Sequence, residues 1–251
     1  MASDLHPDLH PDLRHSPATL GTPQRALAVG AHPDDIEFGA GGTLARWATA
    51  GCRVTMLVVT DGSKGTWDRD ADPAGLAAVR RREQAVAARE LGAAEVMHLD
   101  RVDGELEYSM ELRGELCARV RIAKPDVVVT HDPWRRYDMH PDHRATGLAV
   151  VDGVIAARDH LFYPDQGLEP HRPAALLLWS PDEADHYEPI DVERKTGALL
   201  RHSSQAATTM GDAGSDEDRR RAFARLVRDQ ARAWGADAGM EMAEPFKRLT
   251  P

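Results

Sequence analysis

Four copies of the tripeptide His-Pro-Asp stand in this chain of 251 residues, beginning at His6, His10, His32 and His140. Imidazole and carboxylate both ligate first-row metals, and neutral histidine with aspartate suits Zn2+. Proline fixes its own φ and pushes the preceding histidine toward an extended conformation, so each copy is a stiff turn. In "AHPDDIEFGAGGT" the copy at His32 runs on into a second aspartate. Asp34 and Asp35 are adjacent, so their side chains can diverge from a turn. One can bind a metal while the other faces an activated water, and spacing alone does not assign the roles. The stretch "THDPWRRYDMHPDHRATG" packs His131, Asp132, Asp138, His140, Asp142 and His143 within thirteen residues. If a helix starts near Pro141 and Asp142, His140 and His143 project from its first turn toward a common point. Three protein ligands and an open position characterise a catalytic zinc, whereas structural zinc is closed by four and is usually cysteine-rich. Neither stretch contains cysteine, which favours catalysis.

Such ligands need a scaffold, and the surrounding pattern supplies one. "RALAVGAH", "CRVTMLVVTDG", "EVMHLD", "PDVVVTHD" and "AALLLWS" read as strands. Between them, helical patterns cover a stretch around "GGTLARWATAG" with Gly51 as its stop, then about 76–91, 110–123 and 143–157. Further helical stretches lie near 191–201 and 216–234. This alternation indicates an α/β, Rossmann-like, mainly parallel sheet with helices on both faces. In such a sheet ligands bind beyond the carboxyl ends of the strands, which places the active site there. His32 follows the first strand and His140 lies in the loop after the fourth. The copies at His6 and His10 instead fall in a Pro/His/Asp-rich segment, 1–24, read as a flexible or loosely docked tail before a single domain over 25–251. The tail copies are therefore composition. The glycines of "GAGG" fail the dinucleotide fingerprint, because Gly39 and Gly41 are followed by Gly42 and the third position after Gly41 is Leu44. Backbone packed closely beneath the site, where a helix begins, is the plainer reading.

Composition narrows the function classes. Forty-one acidic against 31 basic residues give a formal charge of −10, which argues against a nucleic-acid binder. No apolar run approaches the roughly 20 residues that cross a bilayer, so no membrane association is expected. The opening residues lack a signal-peptide core. Cys52 and Cys117 form no framework and read as reduced packing cysteines of a cytoplasmic protein. The Asp/Arg-rich segment near 211–232 reads as a surface helix or as the contact of a homo-oligomer.

"AHPDD" after the first strand, paired with "HPDH" after the fourth, resembles the PIG-L/LmbE-like zinc-dependent N-deacetylases. "VTDGSKG", "RRREQAVAARELG", "VDGEL" and "LLRHSSQ" resemble further segments of that family, so the resemblance spans about 26–205. It implies His32, Asp35 and His143 as zinc ligands, with ferrous iron able to occupy the same set. It makes Asp34 the general base and His140 the support of the tetrahedral intermediate. Zinc lowers the pKa of its water to about 7 and polarises an amide carbonyl, which suits N-deacetylation of an N-acetylated amino sugar such as N-acetylglucosamine. Asp142 and His131 are expected behind the ligands, Asp142 serving equally well as a helix cap. Arg80, Glu83 and Asp103 match family positions that hold sugar hydroxyls, and Lys64 could meet an anionic substrate. Some relatives carry a tyrosine two residues before the "HPDH" histidine. Here that position is Asp138, and Tyr137 is the neighbouring candidate for a substrate contact. The rival readings are a zinc amidase releasing a larger acyl group from a thiol conjugate or antibiotic-like molecule, and a non-catalytic metal- or carbohydrate-binding protein. Specificity is expected in loops 61–75, 133–139 and 160–172.

Overall fold

The computed structural model describes residues 19–209 and 215–251. Of the expected tail over 1–24, residues 1–18, with His6 and His10, lie outside the described residues. Seven strands form one sheet: β1 (Arg25–Gly30), β2 (Arg53–Thr60), β3 (Glu95–Arg101), β4 (Val127–His131), β5 (Ala175–Trp179), β6 (His186–Pro189) and β7 (Ala243–Leu249). Their order is β3-β2-β1-β4-β5-β7-β6. The first five pair in parallel, while β7 runs antiparallel to both β5 and β6. The chain therefore reverses its direction of travel across the sheet between β1 and β4. That pair is the switch point, where two strand ends open a crevice.

The helices are α1 (Asp35–Thr49), α2 (Pro73–Leu91), α3 (Met110–Ala123), α4 (Pro141–Ala157), α5 (Val192–Leu199), α6 (Ala206–Thr209) and α7 (Asp216–Asp237). Strand side chains alternate between faces, so the continuous apolar runs serve two cores. Ala28, Met56, Val58, Val129 and Leu177 pack with Leu44 and Trp47 of α1, Leu91 of α2 and Ala198 of α5. Leu27, Val29, Leu57 and Val128 pack with Leu116 and Val120 of α3 and Val150 and Val154 of α4. Helix starts and stops follow local chemistry. Asp72 accepts from the Ala74 and Gly75 amides at the start of α2, Gly92 takes the left-handed conformation at its end, and Ser109 caps α3.

Helix α1 begins at Asp35, directly after the His-Pro-Asp turn, so the glycines lie within the helix and not at its start. They allow close approach. A Cβ on Gly39 would stand 2.3 Å from the Trp179 ring, and one on Gly42 would stand 2.6 Å from Ile190 Cβ. At the same place a buried ion pair enters the helix ladder. The Gly42 and Thr43 amides donate to the Glu244 carboxylate at 3.0 and 2.8 Å, while Lys195 Nζ donates to the Phe38 carbonyl and to Glu244. The ion pair and its backbone partners thus satisfy one another away from water. A second buried cation, Arg121, closes the opposite face. It donates to the carbonyls of Ala156, Ala157, Asp159, Phe162 and Tyr163, and so fixes the loop after α4.

Candidate active site

Strand β1 ends at Gly30, and the chain turns through His32 and Pro33 into α1. Asp34 occupies the N-cap of α1 with φ 105° and ψ −25°, a left-handed conformation. A residue bearing a Cβ pays about 1–3 kcal/mol to stand there, and such strain gathers at functional sites. An N-cap aspartate ordinarily bonds the amides of the first turn. The Asp34 carboxylate does not, so it stays available for other work. Asp35 opens the helix, and its carboxylate accepts from the His32 amide at 2.7 Å.

The second half of the site comes from β4 and α4. His131 is the last residue of β4, His140 precedes α4, and Asp142 and His143 lie in its first turn. The Asp35 carboxylate is ringed by three imidazoles: His32 Nδ1 at 3.2 Å, His131 Nε2 at 3.3 Å and His143 Nε2 at 3.4 Å. The His140 ring centroid is 4.5 Å from that of His32 and 4.6 Å from that of His143. Each of the three imidazoles around Asp35 is also held from behind. His32 Nε2 faces Asp142 at 3.1 Å and Asp103 at 3.2 Å. His143 Nδ1 faces Asp138 at 3.7 Å. The Trp179 indole donates to His131 Nδ1 at 3.2 Å and the Ala31 amide donates to His131 Nε2 at 3.1 Å, which fixes the ring between β1 and β5. Asp142 is fully buried and accepts from the Gly104 and Leu106 amides as well, tying the loop after β3 to α4.

Burial acts on every one of these groups, and their partners decide the outcome. Burial alone would raise Asp35, yet His143, His131 and His32 hold its carboxyl well below the usual carboxylate range. Burial also raises Asp34, and although the Arg80 guanidinium opposes it, Asp35 adds to the rise and the carboxyl is pushed up to about 7. His32 would be lowered by burial, but Asp35, Asp103 and Asp142 push it up to about 12. His143 is raised despite burial, chiefly by Asp35. His140 and His131 are both lowered, first by burial.

Donor atoms of His32, His140 and His143 lie within 4.8 Å of one another, as do those of Asp35, His131 and His143, and those of His32, Asp103 and Asp142. These overlapping sets form a candidate metal-binding cluster of imidazoles and carboxylates, without cysteine. His140 Nδ1 is buried in it with no hydrogen-bond partner, as a ligand atom or a donor to substrate would be. The residues present therefore fit a divalent cation. A cavity of about 240 Å³ opens beside the cluster, lined in part by Phe38, Arg135, Asp138, His143, Trp179 and Ser180.

The structure thus brings together His32, Asp34, Asp35, Asp103, His131, His140, Asp142 and His143. Arg80 reaches Asp34 Oδ2 at 3.4 Å, but spends its guanidinium mainly on the carbonyls of Pro33 and Gly62. Glu83 accepts from the hydroxyls of Ser203 and Ser204 and from the Ser204 amide, bracing α2 against the turn 203–205. Lys64 is exposed, with Nζ paired to Glu105 at 2.7 Å. Tyr137 is 88% exposed and left-handed at φ 62°. Four buried polar or aromatic residues escape sequence reasoning: Trp179, Gln84, Glu37 and His202. Gln84 Oε1 accepts from the Asp34 amide at 3.0 Å, Gln84 Nε2 donates to Glu37 at 2.7 Å, and His202 Nε2 lies 3.7 Å from Glu37. The one signal in the chain was the spacing of Gln84, a single helical turn after Arg80.

The family described as PIG-L, GlcNAc-PI de-N-acetylase, matches residues 27–154. Diacetylchitobiose deacetylase of Thermococcus kodakarensis is 34% identical over 187 residues, covering 72% of this chain and 70% of that protein. A 1D-myo-inositol 2-acetamido-2-deoxy-alpha-D-glucopyranoside deacetylase of Kineococcus radiotolerans is 35% identical over 169 residues; the match covers 55% of this chain and 46% of that one. The solved structure of N,N'-diacetylchitobiose deacetylase from Pyrococcus horikoshii, bound to an inhibitor, superposes with a TM-score of 0.81 at 31% identity. That match covers 91% of this chain and 84% of the other.

Proposed function

Since this chain belongs to the PIG-L family of de-N-acetylases, we propose that it hydrolyses the acetamide of an N-acetylated amino sugar, with zinc in the cluster around Asp35. The observation that carries this reading is the pairing of two adjacent aspartates with opposite surroundings, one ringed by imidazoles and one strained, buried and off the helix cap. Among the described residues no helix is long and apolar enough to cross a membrane.

His32, Asp35 and His143 would hold the ion, with Asp142 and Asp103 orienting His32 from behind. Zinc, or ferrous iron in its place, supplies a Lewis acid and an activated water when bound. Asp34 takes the proton of the attacking water and returns it to the leaving nitrogen. Burial raises its carboxyl above the usual carboxylate range, toward the poise that both halves of that task need. His140 offers a ring N–H to the developing oxyanion. The 2-acetamido sugars named for the inositol-linked relative, and the chitobiose named for the other two, support an amino-sugar substrate. Lys64 and Tyr137, exposed on the loops after β2 and β4, are the proposed contacts beyond the acetamide, and Arg80, held between Asp34 and Asp103, backs the wall nearest Asp34.

Acetate and free-amine release from N-acetylglucosamine, N,N'-diacetylchitobiose and an N-acetylglucosaminyl inositol tests this, with metal content measured on the same sample. Release that stops with a chelator and returns with zinc is expected. Zinc bound at one per chain with no acetate released from any of the three would overturn the reading, and release of a larger acid from an acylated thiol conjugate would replace it.

A further inference from the structure

We propose that Gln84 is a positioning residue for Asp34, and that Glu37 fixes the direction in which the Gln84 amide faces. The inference rests on the reading of Asp34 as the proton-accepting group.

Pro33 and Asp34 share one peptide unit. Its carbonyl accepts from Arg80 Nη2 at 2.6 Å, and its N–H donates to Gln84 Oε1 at 3.0 Å. The two polar ends of a trans peptide point in opposite directions. Arg80 and Gln84 stand one turn apart on α2 and project from the same face, so they grip that plane from its two sides. Rotating the plane changes ψ of Pro33 and φ of Asp34 together. The grip therefore sets the φ of 105° that keeps the Asp34 carboxylate off the end of α1.

Arg80 can only donate, but an amide can present either its oxygen or its nitrogen. Only the oxygen can accept from the Asp34 amide. Glu37 settles the choice by accepting from Gln84 Nε2 at 2.7 Å. Gln84 and Glu37 are both fully buried, so solvent cannot supply a substitute partner. Their position on the helix sharpens the point. Glu37 stands three residues after the N-cap, where an acidic side chain ordinarily reaches back to the N-cap amide directly. Here Gln84 is interposed, and the usual local cap is routed through a neighbouring helix. Without it, Asp34 can relax to the extended N-cap conformation and bond the first-turn amides with the carboxylate that the reaction needs.

Gln84→Met keeps the side-chain length and removes both polar ends. The expected result is a kcat lower by at least about tenfold with KM changed less than about threefold. Zinc content should match the parent, and a crystal structure should show Asp34 moved out of the left-handed region. Glu37→Gln keeps an acceptor for Gln84 Nε2 and should stay within about threefold of the parent kcat, whereas Glu37→Met should behave like Gln84→Met. The double variant should be no worse than either single one, because the two residues act as a unit. An Asp34 φ unchanged in Gln84→Met overturns the inference, as does a parental kcat in that variant while Asp34→Asn is inactive. If Gln84→Met does not fold, the Glu37 pair decides, and equal kcat for Glu37→Gln and Glu37→Met overturns it. Asp34→Asn with parental turnover would sink the proton-acceptor role instead, and the φ of Asp34 would still judge the grip.

Discussion

Alanine at each glycine of "GAGG" gives three different outcomes from three near-identical substitutions. A new Cβ at Gly39 would lie 2.3, 2.5 and 2.7 Å from three atoms of the Trp179 indole, far inside the roughly 3.5–4.0 Å of ordinary carbon contact. That indole is 4% exposed and donates to His131 Nδ1, so it has little freedom to retreat. Overpacking costs about 1–3 kcal/mol, and the lost hydrogen bond adds about 1 kcal/mol. The total of about 2–4 kcal/mol lowers the Tm of a chain this size by about 4–16 °C. Gly42→Ala meets Ile190 Cβ at 2.6 Å and should lose about 1–3 kcal/mol. At Gly41 the nearest atom is Lys195 Cγ at 3.4 Å, and replacing a helical glycine there should gain about 0.5–1 kcal/mol, or about 1–4 °C. Thermal melting of the three variants by circular dichroism is sufficient. If the glycines cradled a phosphate, all three variants would melt with the parent and differ only in ligand binding. Melting of Gly39→Ala with the parent, or a Gly41→Ala loss equal to that of Gly42→Ala, refutes the packing argument.

His32→Ala and His143→Ala should each lower bound zinc to well under one per chain by elemental analysis, while Asp34→Asn keeps the ion and loses at least about 10²-fold in kcat. The reactive form of Asp34 is the carboxylate, so kcat/KM should rise with pH along an acid limb. Burial and Asp35 push its pKa up to about 7, and a cation beside Asp35 pulls it down, so the limb should lie at or below pH 7. Removing the opposing guanidinium in Arg80→Met should move that limb upward, and a limb that stays in place or moves down contradicts the assignment. Arg121→Met strands carbonyls at the end of α4 and in the loop after it and should cost at least about 3 kcal/mol, about 6–12 °C in Tm, with zinc content unchanged.

The parallel half of the sheet was legible because its strands are covered on both faces. β1, β2, β4 and β5 are therefore short continuous apolar runs between polar turns. The antiparallel strands were not. β6 reads "HYEP" and β7 "AEPFKRL", with proline and charges where a central strand would be apolar, and their pairing depends on segments about 60 residues apart. The start of α1 was misjudged for a related reason. The glycines look like a helix boundary until Trp179 and Ile190, from elsewhere in the chain, are seen against them. The metal-ligating types were readable because they cluster locally in two motifs. Gln84 and Trp179 lie 50 and 48 residues from the groups they hold, and beyond the spacing of Gln84 one helical turn after Arg80 nothing in their own neighbourhoods marks them.

Adjacent aspartates can diverge from one turn, but their spacing alone leaves the two roles interchangeable. What separates them is the left-handed φ at Asp34, which turns its carboxylate away from the imidazoles that surround Asp35. Asp35 is held well below the usual carboxylate range by the three histidines that face it, which suits the proposed metal ligand. Asp34 sits buried against Arg80 with its carboxyl pushed up to about 7 by burial, which suits the proposed general base. Two neighbouring carboxyls with pKa values driven in opposite directions support the division of labour between ligand and base. The same reasoning explains why the backbone strain at Asp34 is tolerated. Relaxing it would return the carboxylate to the helix cap, where it could neither take a proton from water nor leave Asp35 undisturbed among its histidines.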